Sequence, residues 1–195
     1  MPTATVAYPS SDLARFGREL EAVHRDAAEL LGGLSHAQLA WRPDAGGWSV
    51  GENACHLRTV NTLYLGAIDK SISEARERGH TGFGGYKPGL LGGFMAKLLE
   101  PPVKRRFKSP SVFLPAAEAQ DWRAEVDGYL ATHAGLEERL HHAGGISLAR
   151  ARVVSPAHRL MRVSLGDAFA LVLAHDRRHL AQIRALRGDP SFPRA

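Results

Sequence analysis

Four long segments of the chain repeat their apolar residues at alternating intervals of three and four, the spacing that gathers side chains on one face of an α-helix. The segments cover about 11–34, 49–78, 115–142 and 164–188. In the first of them the series is Leu13, Phe16, Leu20, Val23, Ala27, Leu30 and Leu34. Each segment has one apolar face and cannot bury it alone, so the pattern predicts an all-α protein in which four helices form a bundle.

Two of these helices begin at a recognisable signal. Ser49 precedes Glu52 by three residues, and Ser164 precedes Asp167 by the same interval. In this arrangement the hydroxyl accepts a hydrogen bond from a free backbone N–H, and the acid three residues on reaches back to the first residue. The spacing therefore predicts capped helix starts at Ser49 and Ser164.

The connection between the second and third helices is long and rich in glycine and proline, and it spans 79–115. Residues 90–100 within it are apolar enough to form a short extra helix, and a basic run follows. That run consists of Lys104, Arg105, Arg106 and Lys108. Connections of this length inside a compact domain are usually lids or insertions, so we expect one of these roles. Residues 150–154 could be extended, although no pairing partner is evident.

The length of 195 residues suits one domain, with 1–10 as a flexible N-terminus. Cys55 is the only cysteine, which excludes a disulfide scaffold. No apolar run is long enough to span a membrane and no secretion signal is evident, so we expect a cytoplasmic protein without a membrane partner. The net charge of +5 is spread over all the helices, and this distribution does not favour nucleic-acid binding.

Four of the ten histidines stand where the helical pattern calls for apolar residues, and three of them are candidates for one metal site. His175 and His179 are four residues apart, so both lie on one helix face and can reach the same metal ion. His56 interrupts the stripe of the second helix, which continues through Val60, Leu63 and Ala67. Three neutral imidazoles would hold zinc, nickel, iron or manganese and leave positions open. The spacing alone is equally compatible with histidines that are hydrogen-bonded inside a polar core.

Other polar and aromatic residues are candidates for roles around these histidines. Asp176 would orient an imidazole or be solvated, because its reach is too short for the general base of an H-E-x-x-H metallopeptidase. Glu52 could orient His56, or serve only as the capping acid. His133 falls in an apolar stripe of the third helix and is predicted to be a core or pocket histidine. Trp48 lines a pocket or anchors the loop before the second helix.

Two sequence elements resemble the DinB-like (YfiT-like) superfamily. The first lies within 39–57 and contains W-S-x-x-E-x-x-x-H-L from Trp48 onward; the second is H-x-x-x-H-x-x-Q, which ends at Gln182. The resemblance covers nearly the whole chain. It implies a four-helix bundle in a mirrored variant of the up-and-down topology, a divalent metal on His56, His175 and His179, and often a homodimer.

Characterised members of that superfamily include thiol S-transferases that use bacillithiol and isomerases that depend on mycothiol. We therefore expect a metal-dependent enzyme, either an S-transferase with a low-molecular-weight thiol cosubstrate or a related hydrolase. A non-catalytic stress protein that binds a metal or ligand is the alternative. Cys55 points about 100° around the helix from His56, so the protein's own thiol is a poor nucleophile.

Overall fold

Helices make up most of the described chain, which comprises residues 8–44, 46–82, 85–102, 109–115 and 121–194 of a computed structural model. The helices of these residues are α1 (Ser11–Leu31), α2 (His36–Ala40), α3 (Val50–Glu77), α4 (Leu90–Leu99), α5 (Trp122–His142) and α6 (Leu165–Arg187). One 3₁₀ turn, Ser111–Phe113, precedes α5. The predicted all-α fold and the short helix in the long connection are confirmed.

The two capping signals form as the sequence predicts. The Ser49 hydroxyl accepts from the Glu52 backbone N–H at 3.1 Å, and the Glu52 carboxylate accepts from the Ser49 N–H at 2.8 Å. The Ser164 hydroxyl accepts from the Asp167 backbone N–H at 3.1 Å, also in a capping box. Helices α3 and α6 carry the three histidines. The residues at which these two helices start are therefore determined by local sequence.

The first helix ends three residues earlier than the apolar series suggests. Gly32 leaves the helix in an extended conformation, and Gly33 has φ +69°, a value that favours glycine. Leu34 is still buried, but it lies in the turn rather than in α1. The sequence did not predict α2, whose N-cap Ser35 forms a capping box with Gln38.

The four long helices enclose one core. Both α1 and α3 pack against α5 and α6, so α1 and α3 face each other across the diagonal of the bundle. The consecutive long helices α1 and α3 thus occupy opposite corners, as do α5 and α6, while α3 has both α5 and α6 as neighbours. The largest buried side chains at the centre include Phe16, Leu57, Tyr129 and Phe169.

A two-stranded antiparallel hairpin joins α5 to α6. Strand β1 (Arg152–Val154) pairs with β2 (Arg162–Ser164), and Val153 faces the core opposite Val163. The extended conformation predicted within residues 150–154 is confirmed for Arg152–Val154, and β2 is the pairing partner that was not evident from the sequence. Because β2 ends at the N-cap of α6, the sequence pattern there indicated the helix start and did not indicate the strand before it.

The long connection is held against the start of α6. The Tyr86 hydroxyl donates to the Asp167 carboxylate at 2.6 Å, and the Gly89 N–H donates to the same oxygen at 3.0 Å. A Cβ on Gly92 would lie 2.4 Å from the Asp167 Cβ, so glycine permits the close approach. Gly89 and Gly92 therefore let the connection pack closely against Asp167.

Helix α4 carries apolar side chains that face outward. Leu90 is 98% exposed and Phe94 is 64% exposed, with Leu91 and Leu98 beside them. The basic run at 104–108 lies outside the described residues. None of the described helices combines the length and the apolar character that crossing a membrane requires.

Candidate metal centre

His56 of α3 and the pair His175 and His179 of α6 come together between the two helices. One ring nitrogen from each lies within 4.8 Å of the other two. The Nε2 atoms of His56 and His175 are 3.1 Å apart. Two nitrogens bound tetrahedrally to one zinc ion are about 3.3 Å apart, given bonds of about 2.0–2.1 Å. The arrangement therefore suits three nitrogens around a single ion.

The proton of His56 is positioned by the 3₁₀ turn. Its Nδ1 lies 2.6 Å from the backbone carbonyl oxygen of Phe113. A carbonyl oxygen can only accept, so the neutral His56 ring carries its proton on Nδ1 and donates it to that oxygen. The lone pair is then on Nε2, the nitrogen that faces His175.

The proton of His179 is positioned by Asn53, which lies one turn before His56 on α3. The Asn53 amide nitrogen donates to the Ser49 carbonyl oxygen at 2.8 Å, so the amide oxygen is turned toward His179. That oxygen lies 2.8 Å from Nδ1 of His179 and accepts its proton. The lone pair of His179 is thereby left on Nε2. The Gln182 side chain lies near the His179 ring and partly offsets the lowering of its pKa.

Burial keeps all three imidazoles neutral. Burial and the neighbouring His56 and Arg178 lower the pKa of His175 to about 3. Burial also lowers the pKa of His56, and burial together with the nearby histidines and Arg178 lowers the pKa of His179. Arg178 is only 6% exposed, and its charge disfavours the protonated forms of His175 and His179. The neutral form is the one that binds metal.

A divalent cation fits this set of donors. Lone pairs on His56 and His179 point into a buried space, and buried acceptors are costly unless a donor or cation satisfies them. His175 also turns a nitrogen into this space, because its Nε2 lies 3.1 Å from Nε2 of His56. Three neutral imidazole nitrogens are a donor set suited to zinc, nickel or iron.

Aromatic rings cover the cluster. The Trp48 ring lies 4.8 Å from the His56 ring and 6.0 Å from the His179 ring, nearly parallel to the latter. The Phe113 ring is 6.4 Å from that of His56. Trp41, by contrast, packs against Phe192. The structure thus places Trp48 against the imidazoles, where it lowers the local dielectric constant and strengthens charge interactions.

Glu52 lies beside the site but is engaged elsewhere. One carboxylate oxygen completes the capping box with Ser49, and the other accepts from Arg42 at 2.6 Å. Asn53, one position further along α3, makes the contact to an imidazole. Sequence reasoning missed Asn53, although a buried polar residue three positions before His56 on the same helix face was a usable signal.

Asp176 and His133 form a separate polar group in the core. The Asp176 carboxylate is fully buried and accepts from the Asn61 amide at 3.3 Å; His133 Nε2 lies 3.4 Å from the same oxygen. Nδ1 of His133 is 3.1 Å from Nδ1 of His24. Asp176 is therefore neither solvated nor directed at the three imidazoles, and His133 is a hydrogen-bonded core histidine.

Replacing Asn53 by leucine should weaken metal binding about 10- to 100-fold, the usual effect of losing a residue that orients a metal-bound imidazole. Without the amide oxygen, nothing holds the His179 proton on Nδ1. Competition with a chromophoric chelator measures the affinity. Glu52→Gln is the matched control, because glutamine also completes a capping box. An affinity that falls equally in both variants would contradict the orienting role of Asn53.

Comparison with known proteins gives one match. A family model described as the DinB superfamily matches residues 19–183, which is most of the chain. Searches among curated proteins and among solved structures found no match. The matched range contains all three clustered histidines together with Asn53 and Trp48.

Proposed function

The chain belongs to the DinB superfamily, and we propose that it is a divalent-metal-dependent enzyme whose ion is held by His56, His175 and His179. The observation that carries the proposal is the convergence of three neutral imidazole nitrogens within 4.8 Å. His56 and His179 donate their ring protons to a carbonyl and an amide oxygen, respectively, on the side of each ring that faces away from the cluster. A structural polar core would not require both lone pairs to face inward.

We propose a thiol-dependent S-transferase, or a related hydrolase, as the reaction class. A divalent ion in this position supplies Lewis acidity, which lowers the pKa of a thiol or of water and provides a nucleophile at neutral pH. Cys55 is buried, at 4% exposure, so the thiol would come from a small cosubstrate. The ion would be zinc, nickel, iron or manganese.

The protein's own groups would have distinct tasks in such a reaction. Asn53 and the Phe113 carbonyl hold the imidazoles of His179 and His56 in the tautomer that binds metal. Trp48 shields the cluster from water. The cationic Arg178 disfavours protonation of the nearby His175 and His179, which keeps their nitrogens available.

A turnover assay tests the reaction class. The protein is loaded with zinc, nickel, iron or manganese and incubated with a panel of small thiols and electrophiles, and loss of both is followed by mass spectrometry. An S-transferase should consume thiol and electrophile together, in proportion to bound metal. A hydrolase should consume its substrate without added thiol. The His56→Ala variant serves as the inactive control.

The same assay separates the enzyme from the alternative, a non-catalytic stress protein that binds metal or ligand. A protein that retains one ion per chain yet shows no metal-dependent turnover across the panel would support the alternative and contradict the transferase. Metal content that does not depend on the three histidines would contradict the transferase and any metal-binding role of this cluster.

The homodimer and the cytoplasmic location expected from the sequence stay predictions. Support for self-association comes from α4 within the long connection, where Leu90, Leu91, Phe94 and Leu98 form an exposed apolar face. Apolar faces of this kind often mark interfaces between proteins.

A further inference from the structure

A second recess lies between the middle of α3 and the β1–β2 hairpin. It has a volume of about 400 Å³, which is within the usual range for small-molecule pockets. Along α3, Ala67 in its wall is eleven residues beyond His56, a distance of about 16 Å at the helical rise. We call this recess the hairpin groove. It is separate from the candidate metal centre.

The floor of the hairpin groove is apolar. Leu63 and Ala67 form the α3 side, and Val154 and Pro156 form the hairpin side. Leu63 and Val154 are each 37% exposed. The helical stripe predicted Leu63 and Ala67 to be core residues. They line the groove instead, since Tyr64 and Ile68 take the buried positions.

The rim of the hairpin groove is cationic. Lys70, Arg152 and Arg159 line it, and Glu74 is the only acid among the described residues of the rim. Glu74 is already engaged, at 4.0 Å from Lys70 and 3.5 Å from Arg78. Arg152 and Arg159 make no ion pair or side-chain hydrogen bond within the described part of the chain. The rim therefore has positive charge that no acid of the described chain neutralises.

One buried hydroxyl marks the polar end of the groove. Ser71 is 3% exposed, lines the groove beside Lys70, and its Oγ lacks a hydrogen-bond partner among the residues the structure describes. Ser71 and Arg152 also line a small adjoining cavity of about 20 Å³, which places them at the same end. Buried polar groups are nearly always hydrogen-bonded, so an unpartnered hydroxyl here points to a missing acceptor.

We propose that the hairpin groove binds a small amphipathic anion, with a carboxylate or phosphate head at Ser71, Lys70 and Arg152 and an apolar chain over Leu63 and Val154. The head would accept from the Ser71 hydroxyl and pair with the two cations. A recessed apolar floor favours a small molecule over nucleic acid, which needs an accessible cationic surface for its phosphates.

Calorimetric titration with ten-carbon probes tests the proposal. Decanoate and decyl phosphate are each titrated into the full-length protein below their micelle concentrations, with decanol as the uncharged probe. At least one anion should bind with a stoichiometry of one, and decanol should bind about tenfold more weakly or worse, because it cannot pair with the cations. The tighter of the two anions identifies the head group.

Three variants test whether the anion binds in the hairpin groove. Arg152→Gln should weaken anion binding about tenfold. Gly66→Phe should abolish it, because a Cβ at Gly66 meets nothing within 4 Å and the ring can occupy the groove without disturbing the fold. Arg25→Gln removes one charge from an exposed position on α1 and should change nothing. Thermal unfolding checks that each variant is folded.

Three results would overturn the proposal. They are the absence of anion binding, equal binding of decanol, and unchanged binding to Gly66→Phe. A further contradicting result could come from sedimentation velocity. If the wild-type chain is a dimer that Gly66→Phe converts to a monomer, the groove belongs to a second copy of the chain and not to a small anion.

Discussion

Alanine at His56 or at His179 is expected to lower the metal content of the purified protein from about one ion per chain to about a tenth or less. Each substitution leaves two imidazoles where three are needed. The loss of affinity should exceed the 10- to 100-fold typical of residues that only orient a ligand. Inductively coupled plasma mass spectrometry measures the bound metal, and circular dichroism confirms that the helices remain.

A matched control comes from His36, an exposed histidine at the start of α2. His36→Ala removes one imidazole from the chain without touching the cluster, so its metal content should equal that of the wild type. Unchanged metal content in both His56→Ala and His179→Ala would show that the ion is held elsewhere. Loss in all three variants would instead indicate adventitious binding to surface histidines.

Much of the candidate centre could be predicted from sequence because its histidines follow a local rule. His175 and His179 share a helix face by their spacing, and His56 interrupts an otherwise apolar stripe. Their partners do not follow such a rule. The Phe113 carbonyl lies 57 residues from His56 in the chain, and Asn53 contacts a histidine on another helix. Contacts of that kind depend on how helices pack, which periodicity does not specify.

In the fold, too, the local features could be predicted from the sequence and the long-range packing could not. Capping boxes at Ser49 and Ser164 involve residues three apart, and both could be predicted. The diagonal placement of α1 and α3 depends on which apolar faces meet, and all four helices offer similar faces. The hairpin was missed because β2 has only three residues and ends at a helix cap.

The glycine-rich connection was predicted to be a lid or an insertion. Asp167 holds the part of it around Tyr86 and Gly89 against the start of α6. Its carboxylate accepts from the Ser164 hydroxyl at 2.7 Å within the cap, and from Tyr86 and Gly89 of the connection. Burial and Asp167 raise the pKa of Tyr86, so its hydroxyl remains a donor. Asp167 is 2% exposed. One side chain thus joins the start of α6 to a segment about 80 residues away.

Asp167→Ala should therefore lower the free energy of unfolding by about 3.5 kcal/mol or more, the lower end of the sum for a helix cap and two hydrogen bonds to a charged group. Tyr86→Phe removes one of those bonds and should cost about 1.5–3 kcal/mol. Urea unfolding followed by circular dichroism measures both values.

Asp127 on α5 is exposed and provides the control, since Asp127→Ala should change the unfolding free energy by no more than about 0.5 kcal/mol. The ordering of the three variants is the informative result. If Asp167→Ala is as mild as Asp127→Ala, the hydrogen bonds from Tyr86 and Gly89 do not hold the connection. If Tyr86→Phe alone reproduces the full loss, the cap at Ser164 contributes nothing and the stability comes from the tie to the connection.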